Sequence, residues 1–283
     1  MMLAKIIKGF IPETVKAAYY SILGYKAHFG HYPNIVVPAT FSEKIQKSKI
    51  FNRDPRIPIR QDKVLVKSHV TEKLGAEYVI PTLWHGTELP PKNQRNWPIP
   101  YVVKANHGCG WNIFVRSENE CNWDEIEKKC ADWMTQVYGR TFGEWLYGQI
   151  KPQLLVEPYI SAVAVLPVDY KLWVFSGKVA LIQVVSDRGT SEIAQAFYDI
   201  NWVRQPFTGK AINGVSSYAP PPNSMAKMVE AAETLAEDFS FVRVDFYEVN
   251  NQPIFGEMTF YPASGFSPFE PIIYDKHVGA FWH

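Results

Sequence analysis

Cysteine is scarce in this sequence. Cys109, Cys121 and Cys130 cannot all pair with one another, and their spacing matches no metal-ligand motif, so a reduced, cytosolic setting is expected. An excess of charge of one sign is lacking too. With 29 Lys and Arg against 28 Asp and Glu, a formal charge of +1 gives no general reason to expect a nucleic-acid partner. No apolar run is long enough to span a bilayer, and the start carries no small-residue cleavage site of a secretory signal. Walker-type G-x-x-x-x-G-K-[ST] loops, dinucleotide fingerprints and D-x-D pairs are missing, as is a credible Ser–His–Asp set. What is present is a chain of 283 residues, 47% hydrophobic and 20% charged, enough for one large domain or two smaller ones.

Elements of both kinds interleave, which makes the class α/β or α+β. Residues 1–60 read as helical and irregular, closed by the Pro-rich "FNRDPRIPIR" in the manner of a linker or docking loop. The opening "MMLAKIIKGF" sets Leu3, Ile6, Ile7 and Phe10 at helical spacing between lysines. Such a stripe packs on the protein's own core or lies on a membrane surface, here the inner face. "DKVLVKSHVTEKLG" is a helix between an Asp62 cap and a Gly75 stop, and "EYVIPTLW" is a short strand. "YVVKA" and "NIFVRS" are strands flanking the tight loop "NHGCGW"; residues 123–139 form an amphipathic helix on Trp123, Ile126, Cys130, Trp133 and Val137. "LLVEPYI" is a β run, "DYKLWVFSGKVALIQVVSDR" a hairpin turning at Ser176-Gly177, and residues 223–238 a helix.

Two carboxylates stand out in the last hairpin, Phe241 to Gly265. Asp245 in "VRVDFY" and Glu257 in "IFGEMTF" are pressed by apolar neighbours on both sides. Magnesium takes hard oxygen ligands, commonly one or two carboxylates completed by phosphates and water, and two acids facing one side of a hairpin meet that need. Without a cation they would repel and one would take up a proton. Pairing with a basic residue is the other outcome, and Arg243, two positions from Asp245 on the same strand face, is a ready partner. In "KANHGCGW", Gly108 and Gly110 let backbone N–H groups approach phosphate oxygens, with Lys104 nearby, although a G-x-G between strands also serves as a plain turn. His107 and Cys109 have no third group to orient a Cys–His pair, so a hydrogen-bonding loop histidine and a small filler are expected.

Taken in order, five of these segments, between about Asp62 and Trp282, resemble the ATP-grasp superfamily, and within it the TupA-like branch associated with bacterial surface polysaccharides. The resemblance implies an α+β fold in which two subdomains grip a nucleotide: a lobe over 61–160 with the glycine-rich loop, a lobe over 161–283 with the metal-binding hairpin, and a helical extension over 1–60. "DKVLVK" resembles the D-K-x-x-x-[KR] helix, which implies Lys63 near the phosphates. "YVVKANHGCG" is similar to the V-K-P strand and its loop, implying that Lys104, His107, Gly108, Cys109 and Gly110 bind phosphates, with alanine in place of the usual proline.

"LLVEPYI" resembles the hinge strand whose backbone meets adenine, here Glu157, Pro158, Tyr159 and Ile160. "VDYKLWVFSGKVALIQVVSDR" looks like the D-I-R hairpin, implying Asp169 on the ribose with Lys171 and Arg188 toward the phosphates. "VRVDFY…FGEMTFYPASGF" is similar to the R-I-D … L-E-x-N-x-x-P-G pair. Arg243 would then stabilise the transferring phosphoryl group, Asp245 and Glu257 would hold magnesium, and Thr259 would stand where the family has asparagine. The implied activity is ATP-dependent carboxylate–amine ligation through an acyl-phosphate, with ATP and Mg2+. Its implied partners are a small-molecule or saccharide carboxylate, such as a uronic acid, and an amino acid. A kinase on the same fold and an inactive nucleotide-binding scaffold are the alternatives. The loop aromatics Trp202, Phe207, Phe266 and Phe269 suit sugar stacking but are also ordinary core material.

Overall fold

The computed structural model of the chain describes residues 12–160, 166–212, 214–215 and 220–283; the Leu3–Phe10 stripe lies outside them. Four helices come first: α1 (Glu13–Phe29), α2 (Phe41–Phe51), α3 (Arg56–Gln61) and α4 (Leu65–Leu74). Strands β1 (Trp84–Gly86), β2 (Tyr101–Ala105) and β3 (Asn112–Val115) follow, then α5 (Trp123–Met134) and β4 (Leu154–Pro158). The second half carries β5 (Asp169–Phe175), β6 (Lys178–Ser186), β7 (Ala194–Tyr198), β8 (Thr208–Gly209) and β9 (Gly214–Val215). It ends with α6 (Met225–Ala236), β10 (Phe241–Val249), β11 (Gln252–Thr259), β12 (Phe269–Glu270) and α7 (Ile273–Gly279).

Two sheets dominate. The smaller has order β1-β4-β2-β3 and the larger β11-β10-β5-β6-β7-β9, every pairing antiparallel except β7 with β9. Both long hairpins turn on residues in the left-handed region, Ser176-Gly177 (φ 48° and 76°) and Asn250-Asn251 (φ 53° and 60°). Such turns match the natural twist of the strands, and Gly and Asn adopt that region at little cost. Along β10 the inward row Val242, Val244 and Phe246 is fully buried, and Met228, Ala231, Ala232 and Leu235 of α6 belong to the same core. The alternate row, Arg243 and Asp245, is left to face the other way.

The smaller sheet has its own apolar cluster, Tyr101, Val103, Ala105, Val115, Leu154 and Val156 with Ile126 and Cys130 of α5. Phe41, Ile45 and Ile57 from the first sixty residues belong to the larger core, together with Trp173, Phe175 and Phe241.

Three expectations need correction. "FNRDPRIPIR" is no linker: it contains α3, whose Ile57 and Pro58 are buried. Its prolines are tolerated because Pro55 precedes the helix and Pro58 falls in the first turn, where N–H groups have no intrahelical partner. "EYVIPTLW" opens with a single tight turn, Ala76–Tyr78, and pairs only from Trp84. The helix expected over 123–139 stops at Met134; Tyr138 turns in to meet Trp111 and Tyr147, with ring centroids 5.6 and 4.8 Å away. Phe207, Phe266 and Phe269 are buried, as core material should be.

Candidate functional site

A row of charge crosses three neighbouring strands of the larger sheet. Lys171 on β5 stands opposite Asp245 on β10, and Asp245 stands opposite Glu257 on β11. Arg243, two residues before Asp245, pairs in register with Thr259, so all five side chains share one face. A bulge between Asp245 and Phe246 leaves Gly256 as the extra residue, and a Cβ there would come within 3.1 Å of the Asp245 carbonyl oxygen.

Buried Asp245 is fully engaged. Arg243 donates to it through Nε (2.6 Å) and Nη2 (2.7 Å), and Lys171 through Nζ (2.5 Å). Burial works to raise the Asp245 carboxyl, but Arg243 and then Lys171 outweigh it and hold it below the usual carboxylate range. Burial likewise works against the Arg243 guanidinium, and Asp245 more than reverses that. Lys171 also bridges to Asp169 at 2.6 Å, and Arg188 reaches the same Asp169 oxygen at 2.6 Å. The other Asp169 oxygen, Oδ1, is buried with no hydrogen-bond partner. Glu257 is looser: its side chain is 30% exposed, Arg243 Nη2 lies 3.5 Å away, and the Thr259 hydroxyl donates to it at 3.2 Å.

The smaller sheet supplies the facing wall. Lys104 on β2 donates to Glu157 on β4 at 2.5 Å, and Lys67 from α4 contacts the other oxygen of the same carboxylate. Burial alone would raise the Glu157 carboxyl; Lys104 and Lys67 together hold it low. Lys67 is itself pushed down, mainly by burial. Asp62 caps α4 by accepting from the Val64 and Leu65 N–H groups at 2.8 and 3.2 Å, and its second oxygen takes the Asn106 side-chain amide at 2.9 Å. That tie fixes the glycine-rich loop to the helix, and Lys63 adds a bond to the Gly108 carbonyl at 2.7 Å.

Between the two walls lies a cleft of about 150 Å³. Lys63, Lys67, Lys104, Lys171 and Arg188 line it together with Glu157, Asp169, Asp245 and Glu257, and Cys109, Gly110, Tyr247, Val79 and Ile80 are among the rest of the lining. It is smaller than the roughly 300–1,000 Å³ usual for ligand sites, and its acids are paired with cations of their own wall, Glu157 with Lys67 and Lys104 on one side and Asp169 and Asp245 with Lys171 on the other.

The structure thus brings together Lys63, Lys104, Cys109, Gly110, Glu157, Asp169, Lys171, Arg188, Asp245 and Glu257 from the residues singled out in the sequence. Arg243 and Thr259 stand directly behind, bonded to Asp245 and Glu257. Gly108 offers its carbonyl to Lys63 rather than an N–H to the cleft. His107 is turned away: it is buried between the Asn106 side chain (3.0 Å) and the Trp133 carbonyl (3.1 Å), and burial pushes its pKa down. Pro158, Tyr159 and Ile160 do not line the cleft; the Tyr159 N–H bonds the Pro100 carbonyl at 3.0 Å, and its ring meets Phe114. Lys67 was passed over in the sequence, although it closes the D-K-x-x-x-K spacing and sits one helical turn from Lys63. Tyr247 carried no sequence signal beyond lying two residues after Asp245.

Magnesium fits the donor set. Asp245 and Glu257 are hard oxygen donors in direct register at the cleft wall, with the orphaned Asp169 oxygen on β5, the strand next to β10. Among the described residues no group of three or more His, Cys, Asp or Glu is arranged around a metal position, so this pair would need further oxygens from a ligand or water.

Two sheets facing each other across a cleft of lysines and paired carboxylates, with helices around them, make this an α+β fold. The chain belongs to the TupA-like ATP-grasp family, whose model matches residues 43–283. No curated protein matches the chain. Among solved structures it is similar to D-alanine–D-alanine ligase from Bacillus anthracis, at 15% identity over 71% of this chain and 57% of that one, TM-score 0.44. L-amino acid ligase from Bacillus licheniformis gives 11% identity over 79% and 49%, TM-score 0.48. The ATP-grasp ligase PsnB, solved with its minimal precursor, magnesium and ADP, gives 12% identity over 77% and 57%, TM-score 0.42. The chain therefore spans about half the length of such ligases. Among the described residues no helix is long and apolar enough to cross a membrane.

Proposed function

We propose that the chain is an ATP-dependent, ADP-forming carboxylate–amine ligase, joining an amino acid to a uronic-acid or peptidyl carboxylate of a bacterial surface polymer or its precursor. The observation that supports it best is the in-register row Lys171–Asp245–Glu257 set across a cleft from Lys63, Lys67 and Lys104. The polymer itself is suggested by the TupA-like branch alone. The smaller sheet would belong to a lobe over residues 61–160 and the larger to one over 161–283, with 1–60 as a helical extension, in the cytoplasm.

A carboxylate is a poor electrophile at neutral pH. In the first step one of its oxygens bonds to the γ-phosphorus of ATP and ADP leaves. In the second an amine nitrogen bonds to the acyl carbon, phosphate leaves with the former carboxylate oxygen, and the amine gives up a proton. Such chemistry needs positioning and charge neutralisation more than a nucleophilic side chain. Lys63, Lys67 and Lys104 would take phosphate oxygens from one wall, and Lys171, Arg188 and Arg243 from the other. In the free protein Glu157, Asp169 and Asp245 occupy those cations; phosphate oxygens would replace the carboxylates and widen the cleft. Asp245 and Glu257 would hold magnesium, which when bound neutralises phosphate charge, and Thr259 would steady Glu257 through its hydroxyl. Asp169 would use its free oxygen on the ribose.

The assay is release of ADP and phosphate with paired uronic-acid and amino-acid substrates. The ligase requires both. ADP with a stable phosphorylated product from one acceptor would instead mark a kinase. Thermal stabilisation by ATP and magnesium without turnover would mark a scaffold.

A further inference from the structure

Cys109 and Gly110 line the cleft, and their N–H groups make no hydrogen bond among the described residues. A loop that spends no donor on itself is rigid only when something outside it holds it. Here two side chains at its base do so, Asn106 and His107.

Asn106 is fully buried and uses its whole amide. Nδ2 donates to Asp62 Oδ2 at 2.9 Å and to the Lys151 carbonyl at 3.0 Å, and Oδ1 accepts from the Gln153 N–H at 2.7 Å. Its backbone N–H donates to the Gln153 carbonyl at 3.0 Å. These neighbours fix the orientation of the amide, because the flipped form would set its oxygen against a carboxylate and a carbonyl. One residue thus joins the loop to the cap of α4 and to the chain entering β4. His107, buried at 2% exposure, adds a third element. Its Nδ1 lies 3.0 Å from Asn106 Oδ1, and its Nε2 lies 3.1 Å from the Trp133 carbonyl in the last turn of α5.

Aromatic packing adds to this hold. Trp111 lies so close to Gly108 that a Cβ there would fall 2.4 Å from its ring. The same indole stacks on Trp133, with centroids 6.3 Å and planes 5° apart, and meets the His107 ring edge-on at 5.2 Å. Lys63 donates to the Gly108 carbonyl at 2.7 Å. The start of α4, the end of α5 and the approach to β4 therefore all hold the loop, while the two N–H groups at the cleft stay open.

We propose that Asn106 and His107 are positioning residues that set the glycine-rich loop before nucleotide arrives, so that Cys109 and Gly110 offer their N–H groups to phosphate oxygens without first ordering. Ordering a loop on binding costs affinity, and a pre-set loop avoids that cost. The use of the N–H groups rests on the proposed ATP binding; the rigidity of the loop does not.

Nitrogen-15 relaxation of the full chain tests the rigidity, and calorimetry with a non-hydrolysable ATP analogue and magnesium tests its use. The amides of Gly108, Cys109 and Gly110 are expected at order parameters of about 0.85 in the free chain, unchanged by the analogue, and below about 0.6 in His107→Ala. His107→Ala and Asn106→Ala are each expected to weaken analogue binding about tenfold. His107→Gln, which keeps an N–H donor, should recover most of that loss. Leu235→Ala, which truncates a buried core residue on α6, should leave the affinity unchanged and so separates positioning from general destabilisation. Order parameters below about 0.6 in the free natural chain that rise with the analogue would overturn the inference. Affinity untouched by both loop variants, or an equal loss in Leu235→Ala, would overturn it too. A rigid loop in a natural chain that binds no analogue would uphold the positioning and strike instead at the proposed function.

Discussion

Asp245 and Glu257 face each other in register across β10 and β11, yet they are held very differently. Asp245 carries Arg243 and Lys171 and is buried, whereas Glu257 is 30% exposed and reached by Arg243 only at 3.5 Å. Glu257→Gln should therefore cut ATP turnover by about a hundredfold or more, with little change in melting temperature. Asp245→Asn should lose turnover and also about 3 kcal/mol of stability, because it leaves two buried cations short of a partner. Denaturant unfolding beside an ADP-release assay separates the two.

Lys67 and Lys104 share Glu157, so this wall of the cleft has a cation that the glycine-rich loop does not supply. Lys67→Met is expected to weaken binding of an ATP analogue about tenfold. Lys73→Met, whose partner Glu237 lies on the exposed surface, is expected to leave it unchanged. Titration calorimetry on both variants checks this.

Ala263, Ser264 and Gly265, just beyond β11, are all left-handed, at φ 46°, 58° and 63°. Gln46 and Lys49 from α2 hold the bend by donating to the Ser264 carbonyl at 3.2 and 2.8 Å. A Cβ on Gly265 would come within 2.6 Å of Ile45 Cγ2 and of Gln46 Nε2. Gly265→Ala should cost about 2 kcal/mol from strain and displaced contacts, read from the denaturation midpoint.

Burial pushes Glu144 up to about 7, with the Ser264 hydroxyl and Lys49 pulling against it. An unfolded glutamate titrates near ~4.3, so between there and about 7 the folded chain keeps a proton that the unfolded chain has lost. Its contribution is complete below the unfolded value and fades as pH rises through the folded one. Asp275, raised to about 6 mainly by burial, acts in the same sense. Melting temperature measured between pH 5 and 8 should fall less steeply for Glu144→Gln than for the natural chain, because glutamine can still accept from Ser264 and has no proton to lose.

The hairpins were legible because their signals are local. Ser176-Gly177 and Asn250-Asn251 are turn pairs, and the alternation along "VRVDFY" already put Arg243 and Asp245 on one face. Asp62 capped its helix for the same reason, a short side chain beside free N–H groups. Long-range partners were not legible. That Glu157 would bind two lysines depends on α4, β2 and β4 meeting, and sequence spacing cannot supply that. His107 stood in the loop in the right place, but its side chain turned to Trp133, a contact made across the fold. The end of α5 was missed because the apolar spacing runs on to Val137, while the packing of Tyr138 on Trp111 stops the helix earlier.

The central claim is that ATP and magnesium lie between the two sheets, against the last hairpin. A crystal structure with a non-hydrolysable ATP analogue and magnesium tests it most directly. The expected result is triphosphate density between Lys63, Lys67 and Lys104 on one wall and Lys171 and Arg243 on the other, with magnesium on Asp245 and Glu257. Phosphates bound elsewhere, with the Lys171–Asp245 and Lys104–Glu157 pairs still closed, would contradict it.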